Sequence, residues 1–161
     1  MDEDGFWKIV QNANDRSGGD MDQKCDALRQ QIPALSKDEA LEFARQFDAM
    51  MDKAYNWPLW GAAYVINGGC SDDSFTDFRA ALISRGRQAF ERALSNPDSL
   101  ADEDFDESEW FYEGYQYAVT DGVEAVAGSR PQRSAPGQPS GTEWQEDQVG
   151  SLFPKLSAKF G

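Results

Sequence analysis

From Trp57 to Ile66 the chain reads WPLWGAAYVI, ten residues without a single charge. A segment apolar on every side cannot face water, so this one is predicted to be the central helix of a folded core. Asn56 is placed to cap it, and Pro58 falls in its first turn, where a missing amide would lack a partner anyway. Ala62 and Ala63 let neighbouring helices come close. Trp57 and Trp60 bring large apolar area and an N–H that needs an acceptor once buried. The Gly68-Gly69 pair stops this helix and Ser71-Asp72-Asp73 starts the next.

The rest of the chain carries helical spacing. Phe6, Trp7, Ile9 and Val10 make a short amphipathic helix, ended by the polar stretch NANDRSGGD. Met21, Cys25, Leu28 and Ile32 fall at i, i+4, i+7 and i+11, one stripe of a second helix that Pro33 breaks. Ser36 and Glu39 have the spacing of a capping box. The helix they open turns Leu41, Ala44, Phe47, Met51 and Ala54 inward, with Glu42, Arg45, Asp48 and Asp52 outward. Phe75, Phe78, Leu82, Phe90, Ala93 and Leu94 continue the spacing past the glycines, either as one long helix or as two halves bent at Gly86. Asp106 and Glu109 have capping-box spacing ahead of a last helix with Phe111, Tyr115, Ala118, Gly122 and Ala125 on one face. No stretch alternates as a strand does. The expected architecture is an all-α, single-domain bundle of about six to seven helices around the buried central one. Residues 1–127 would form the helical domain, and residues 128–142 a flexible linker by their Pro, Gly and Ser content. In residues 143–161, Trp144, Val149, Leu152, Phe153, Leu156 and Phe160 are too apolar for an idle tail, so docking on the domain is expected, with a free tail as the alternative.

Charge narrows the function classes. Fifteen basic against 29 acidic residues leave a net charge of −14, a field that repels nucleic-acid phosphates and anionic membrane. Neither nucleic acid nor membrane is an expected partner, and no apolar run is long enough for a span. The acidic start MDEDGFWKIV is unlike a signal peptide, and two cysteines are too few for a disulfide scaffold, so a reducing cytoplasm is the expected location. With no histidine, an imidazole base is excluded and zinc would have two thiols alone to anchor it. No cofactor is expected.

The block WPLWGAAYVINGGCSDDSFTDFRAALISRGRQAFERALSNPDSLA, with FWKIV before it, resembles a bacterial family, domain of unknown function 4240. The resemblance covers most of residues 5 to about 120. It implies a helical domain and assigns no activity. Some relatives join this domain to others such as a WGR module, which implies a place in larger assemblies.

Several constellations bear on chemistry. Asp73 and Asp77 lie one turn apart and share a helix face, the geometry of a candidate magnesium or calcium site. Set beside them, Ser71 as cap and Asp72 and Asp73 as first-turn acids have an ordinary role with the helix dipole. Arg79, if it sits beside Trp60, Tyr64 or Tyr112, would grip an anionic ligand by its donor fork and by stacking; otherwise it pairs with a carboxylate. Cys70 at a helix N-terminus has its thiol pulled down by the dipole and pushed back up by two aspartates. Trp110, Phe111, Tyr112, Tyr115 and Tyr117 cover more than one helical face, so they either form an exposed binding surface or lie under residues 143–161.

Two functions from different classes follow, and a minor third. The favoured one is a non-catalytic interaction or regulatory domain that meets a protein partner through acidic and aromatic surface. The alternative is a small-molecule- or metal-binding enzyme centred on Asp72, Asp73 and Arg79. The third is an acidic mimic of nucleic acid, acting as an immunity-type inhibitor.

Overall fold

Each of the first five helices begins with a side-chain oxygen on an otherwise orphan amide. In the computed structural model, which describes Met1 to Gly161 apart from the Glu107 side chain, α1 (Glu3–Ser17) starts on Asp2 and α2 (Met21–Gln31) on Asp20. Ser36 and Glu39 form the reciprocal box at the head of α3 (Lys37–Lys53). Asn56 caps α4 (Trp57–Asn67) and Ser71 caps α5 (Asp72–Ser84). Then come α6 (Arg87–Ser95), α7 (Glu107–Trp110), α8 (Tyr115–Ala127) and α9 (Pro154–Phe160), with short 3-10 turns at Ile32–Ala34, Pro97–Asp102 and Val149–Leu152. Among the described residues the fold is all-helical, with one isolated bridge between Asn56 and Ser140.

Among the described residues nine α-helices replace the expected six to seven. The first is longer than its apolar run because NANDRS stays helical with Ala13 buried, and the turn is left to Gly18 and Gly19. The stretch around Gly86 is two helices rather than one. Gly86 has φ +102°, far from helical backbone, so the helix cannot run through it. The last expected helix is also divided, into α7 and α8. Glu109 accepts from the Met21 amide at the start of α2 rather than closing a box with Asp106. On α8 the buried face is Tyr115, Ala118, Val119, Gly122 and Val123, with Ala125 in solvent.

The middle of the bundle belongs to α5, buried without a break from Phe78 to Ser84 and packed on α1, α3, α4, α6, α7 and α8, while α8 lies against α2 and α3 with its far face in solvent. The helix from Trp57 to Asn67 is not wrapped on all sides. Leu59, Gly61, Ala62 and Ala63 are buried, whereas Trp57, Trp60, Tyr64, Val65 and Ile66 are half-buried. Its outer flank is covered by the end of the chain. Val149, Phe153 and Leu156 are buried there, each contributing roughly 1.5–3 kcal/mol of apolar burial. Asp98 accepts from the Lys155 and Leu156 amides at the head of α9, and Lys159 Nζ donates to the Ala101 and Glu103 carbonyls. Gly61 makes this approach possible: a β-carbon would stand 2.9 Å from both Phe153 Cε2 and Trp144 Nε1.

Residues 128–142 are tied down at two places. Arg130 and Arg133 ion-pair with Asp48, and Arg133 also with Asp52, so Asp48, expected outward on α3, is buried. Ser140 donates to the Tyr55 carbonyl and accepts from the Trp57 amide.

Candidate functional site

A column of stacked rings crosses the molecule. Trp57 lies parallel on Trp60 at 5.3 Å, Trp60 on Phe75 at 5.2 Å, Phe75 on Phe78 at 6.5 Å and Phe78 on Trp110 at 5.4 Å. The helix spacing of Trp57 and Trp60 puts those two indoles in register, and the cap at Ser71 brings Phe75 under them. Trp60 Nε1 donates to the Cys70 carbonyl at 2.9 Å, which answers the need of a half-buried indole.

At the outer end of the column Trp144 stands perpendicular to Trp57 and Trp60 and 5.1 Å from the Tyr64 ring. Its Nε1 donates to the Trp57 carbonyl at 2.7 Å. Trp57, Trp60, Tyr64 and Trp144 line an open cavity of about 580 Å³ whose other walls include Glu143, Glu146 and Asp147. On the far side of Trp144 lies a second cavity of about 440 Å³, lined by Pro58, Leu152 and Phe153 among others. Leu152 is 56% exposed at its edge. Cys70 also touches the larger cavity, and burial, followed by the nearby Asp72 charge, pushes its thiol up to about 12. It is a protonated lining group at neutral pH rather than a nucleophile.

Arg79 lies elsewhere. It is 7% exposed, donates to the Met51 carbonyl at 2.7 Å and to Thr76 Oγ1 at 3.2 Å, and stacks 4.5 Å over Tyr55 and 5.0 Å over Phe75. Burial lowers its pKa to about 10, which still leaves it a cation at pH 7. Its aromatic neighbours are therefore Tyr55 and Phe75, not Trp60, Tyr64 or Tyr112. Asp72 accepts from the Tyr55 hydroxyl at 3.1 Å, so Tyr55 bridges Asp72 and Arg79 without opening a space between them.

Asp73 and Asp77 face a different opening, a cavity of about 250 Å³ shared with Glu113 and Tyr117. Burial, then Glu113 and Asp73, push the Asp77 carboxyl up to about 6. Among the described residues no group of three carboxylates or thiols is placed to hold a metal ion. The Glu107 side chain lies outside the described residues. Tyr112 is tied to α2, donating to Asp22 Oδ1 at 2.5 Å, a bond that raises its own pKa. Around it Trp110 and Tyr115 are buried, and of that aromatic stretch Tyr117 alone is largely exposed, at 51%. The end of the chain covers α4 rather than this patch.

The family described as Protein of unknown function (DUF4240) matches residues 1–124. The chain belongs to that family. Neither a curated protein nor a solved structure matches it. The DUF4240 match ends before the residues that complete the larger cavity: Trp57, Trp60 and Tyr64 lie inside it, and Glu143, Trp144, Glu146 and Asp147 outside it. Of these, Trp60 and Tyr64 were candidates from the sequence, but as conditional neighbours of Arg79, which lies over Tyr55 and Phe75 instead. The carboxylates were not candidates. The available signal was a single indole, Trp144, set among Glu143, Glu146 and Asp147 directly after a Pro/Gly/Ser stretch.

Proposed function

We propose that this DUF4240 protein is a non-catalytic interaction domain that receives a protein partner at the cavity between α4 and residues 143–147. In this reading residues 1–127 supply the scaffold and three of the rings, and residues 143–161 dock to complete the site. The carrying observation is the convergence of Trp57, Trp60, Tyr64 and Trp144 with Glu143, Glu146 and Asp147 around one open space of about 580 Å³. Clustered Trp and Tyr rings are the composition of binding hot spots, and polar groups around them belong to the rim of an interface. The exposed Leu152 next to it extends the apolar surface available to a partner.

The enzyme alternative needs Asp72, Asp73 and Arg79 around a common space. Arg79 is buried and lines neither this cavity nor the one at Asp77, which weighs for binding over catalysis. The test is site-specific crosslinking in cells, with a photoreactive residue placed at Tyr64 or, as control, at Tyr117 on α8. A defined protein adduct from position 64, lost when Trp144→Ala is added and absent from position 117, is the expected result. Adducts that form equally at both positions would overturn the assignment of the face.

A further inference from the structure

The protein satisfies its inner ring faces with its own cations. Arg79 lies 4.5 Å over Tyr55 and 5.0 Å over Phe75, Arg85 lies 4.6 Å over Trp110, and Lys159 lies 5.5 Å from both Phe105 and Phe160. At the outer end of the column the pattern stops. Among the described residues no lysine or arginine lies over Trp57, Trp60, Tyr64 or Trp144, and none lines their cavity. In its place stand three carboxylates, Glu143, Glu146 and Asp147.

We infer that this cavity takes the ammonium group of a lysine side chain presented by the protein partner. The inference rests on the proposed binding function and names the chemistry of what is bound. A lysine has two parts that match two kinds of wall. Its four-carbon stem packs on apolar surface while the head stays among polar groups. Here the stem would lie against the rings and the head would meet the carboxylates. Trp60 is already stacked with Trp57 and with Phe75, so it serves as wall. The other rings of the lining are Trp57, Tyr64 and Trp144, and a ring face is the negative end of the aromatic quadrupole, which attracts a cation. An anion would meet the three carboxylates with no basic side chain in the lining, which excludes a carboxylate or phosphate ligand. The net charge of −14 acts in the same direction over longer range and favours approach of a basic segment. The rings from the family region supply the apolar walls, and the region beyond residue 124 supplies the charge that selects the ligand.

The experiment follows the indole N–H resonances of Trp60 and Trp144 in the full chain, both of which are fixed by hydrogen bonds at the cavity. The probes, at constant ionic strength, are n-butylammonium, 1-butanol, butyrate, cellobiose and a capped Ala-Lys-Ala peptide with its Nε-acetylated form. Butylammonium and the lysine peptide are expected to shift these signals saturably, the peptide more tightly. Butanol and the acetylated peptide should bind about ten-fold more weakly or worse. The Glu143→Gln/Glu146→Gln/Asp147→Asn variant alters exposed side chains only, so it should melt as the parent does and lose about ten-fold in affinity for the lysine peptide. Equal shifts with butanol or cellobiose, or unchanged affinity in the carboxamide variant, would overturn the cation inference and leave the binding reading standing. A silent cavity with every probe, together with loss of the adduct at position 64, would remove both. A silent cavity with that adduct retained removes the lysine alone.

Discussion

At its inner end the ring column stops on Trp110, which is 1% exposed, packed between Phe78 and Phe105, and covered by the Arg85 guanidinium. Arg85 is in turn paired with Glu103. At its outer end the column stops on Trp57, half-buried beside an open cavity, with carboxylates nearby and no cation of its own. The rings are of the same type. What differs is whether the chain completes their electrostatics itself. Where it does, the rings are structural; at the outer end it supplies carboxylates alone, and under the proposed function a partner completes them.

Trp110→Ala tests the inner end most severely. Losing a fully buried indole should cost about 3–5 kcal/mol in chemical denaturation, whereas Trp144→Ala, half-buried at a cavity, should cost clearly less. Equal costs would break the comparison, since both ends would then be structural.

Lys24 sharpens it. This lysine is buried, donates to Ser84 Oγ at 3.1 Å, and has its pKa lowered to about 8 from 10.5 by burial and then by Arg85, the same residue that caps the inner end. Between those values the unfolded chain holds more protons than the folded one. Stability therefore rises with pH from about 8 to about 10.5, and the full penalty applies below 8. Lys24→Met should stabilise the protein by on the order of 2–3 kcal/mol at pH 7, with the gain vanishing above the unfolded pKa in melting curves across pH.

Gly61→Val probes the outer end from below. Its side chain would collide with Phe153 and Trp144, an overpacking cost of about 1–3 kcal/mol. Hydrogen exchange should quicken in residues 143–161 while α2, α3 and α8 keep their protection. Quickening spread evenly over the chain would mean that the outer layer is not separable.

The smallest effect is expected at Asp77. Its folded pKa of about 6 lies above the ordinary 3.8, so the folded state holds the extra proton between those values and stability falls as pH rises through them. Asp77→Asn, which can still accept from Gln116, should raise the melting temperature slightly at pH 7 and not below pH 3.8. A melting temperature lowered at pH 7 would give that carboxylate a role in binding that its crowding alone does not predict.

Much of the fold could be read from local chemistry. The caps at Ser36, Asn56 and Ser71, the stripe from Met21 to Ile32 and the break at Pro33 depend on neighbours within a turn or two, which sequence spacing reports directly. Asp48 was not readable. It sits on the polar side of its own helix, and only Arg130 and Arg133, more than eighty residues away, make its burial possible. The candidate site fell between these cases: Trp60 and Tyr64 were named only on the condition that Arg79 meets them, and Arg79 belongs to Tyr55, Phe75 and the Met51 carbonyl.

By itself the sequence determined that this chain is helical, strongly acidic and without imidazole chemistry, because propensity, capping and charge are properties of single residues and their near neighbours. Tertiary structure alone decided which helix takes the centre and where the rings meet carboxylates. Those outcomes depend on the approach of Trp144 to Gly61 and of Arg130 to Asp48, contacts between residues more than eighty positions apart in which the final distance, and not the spacing, sets the energy.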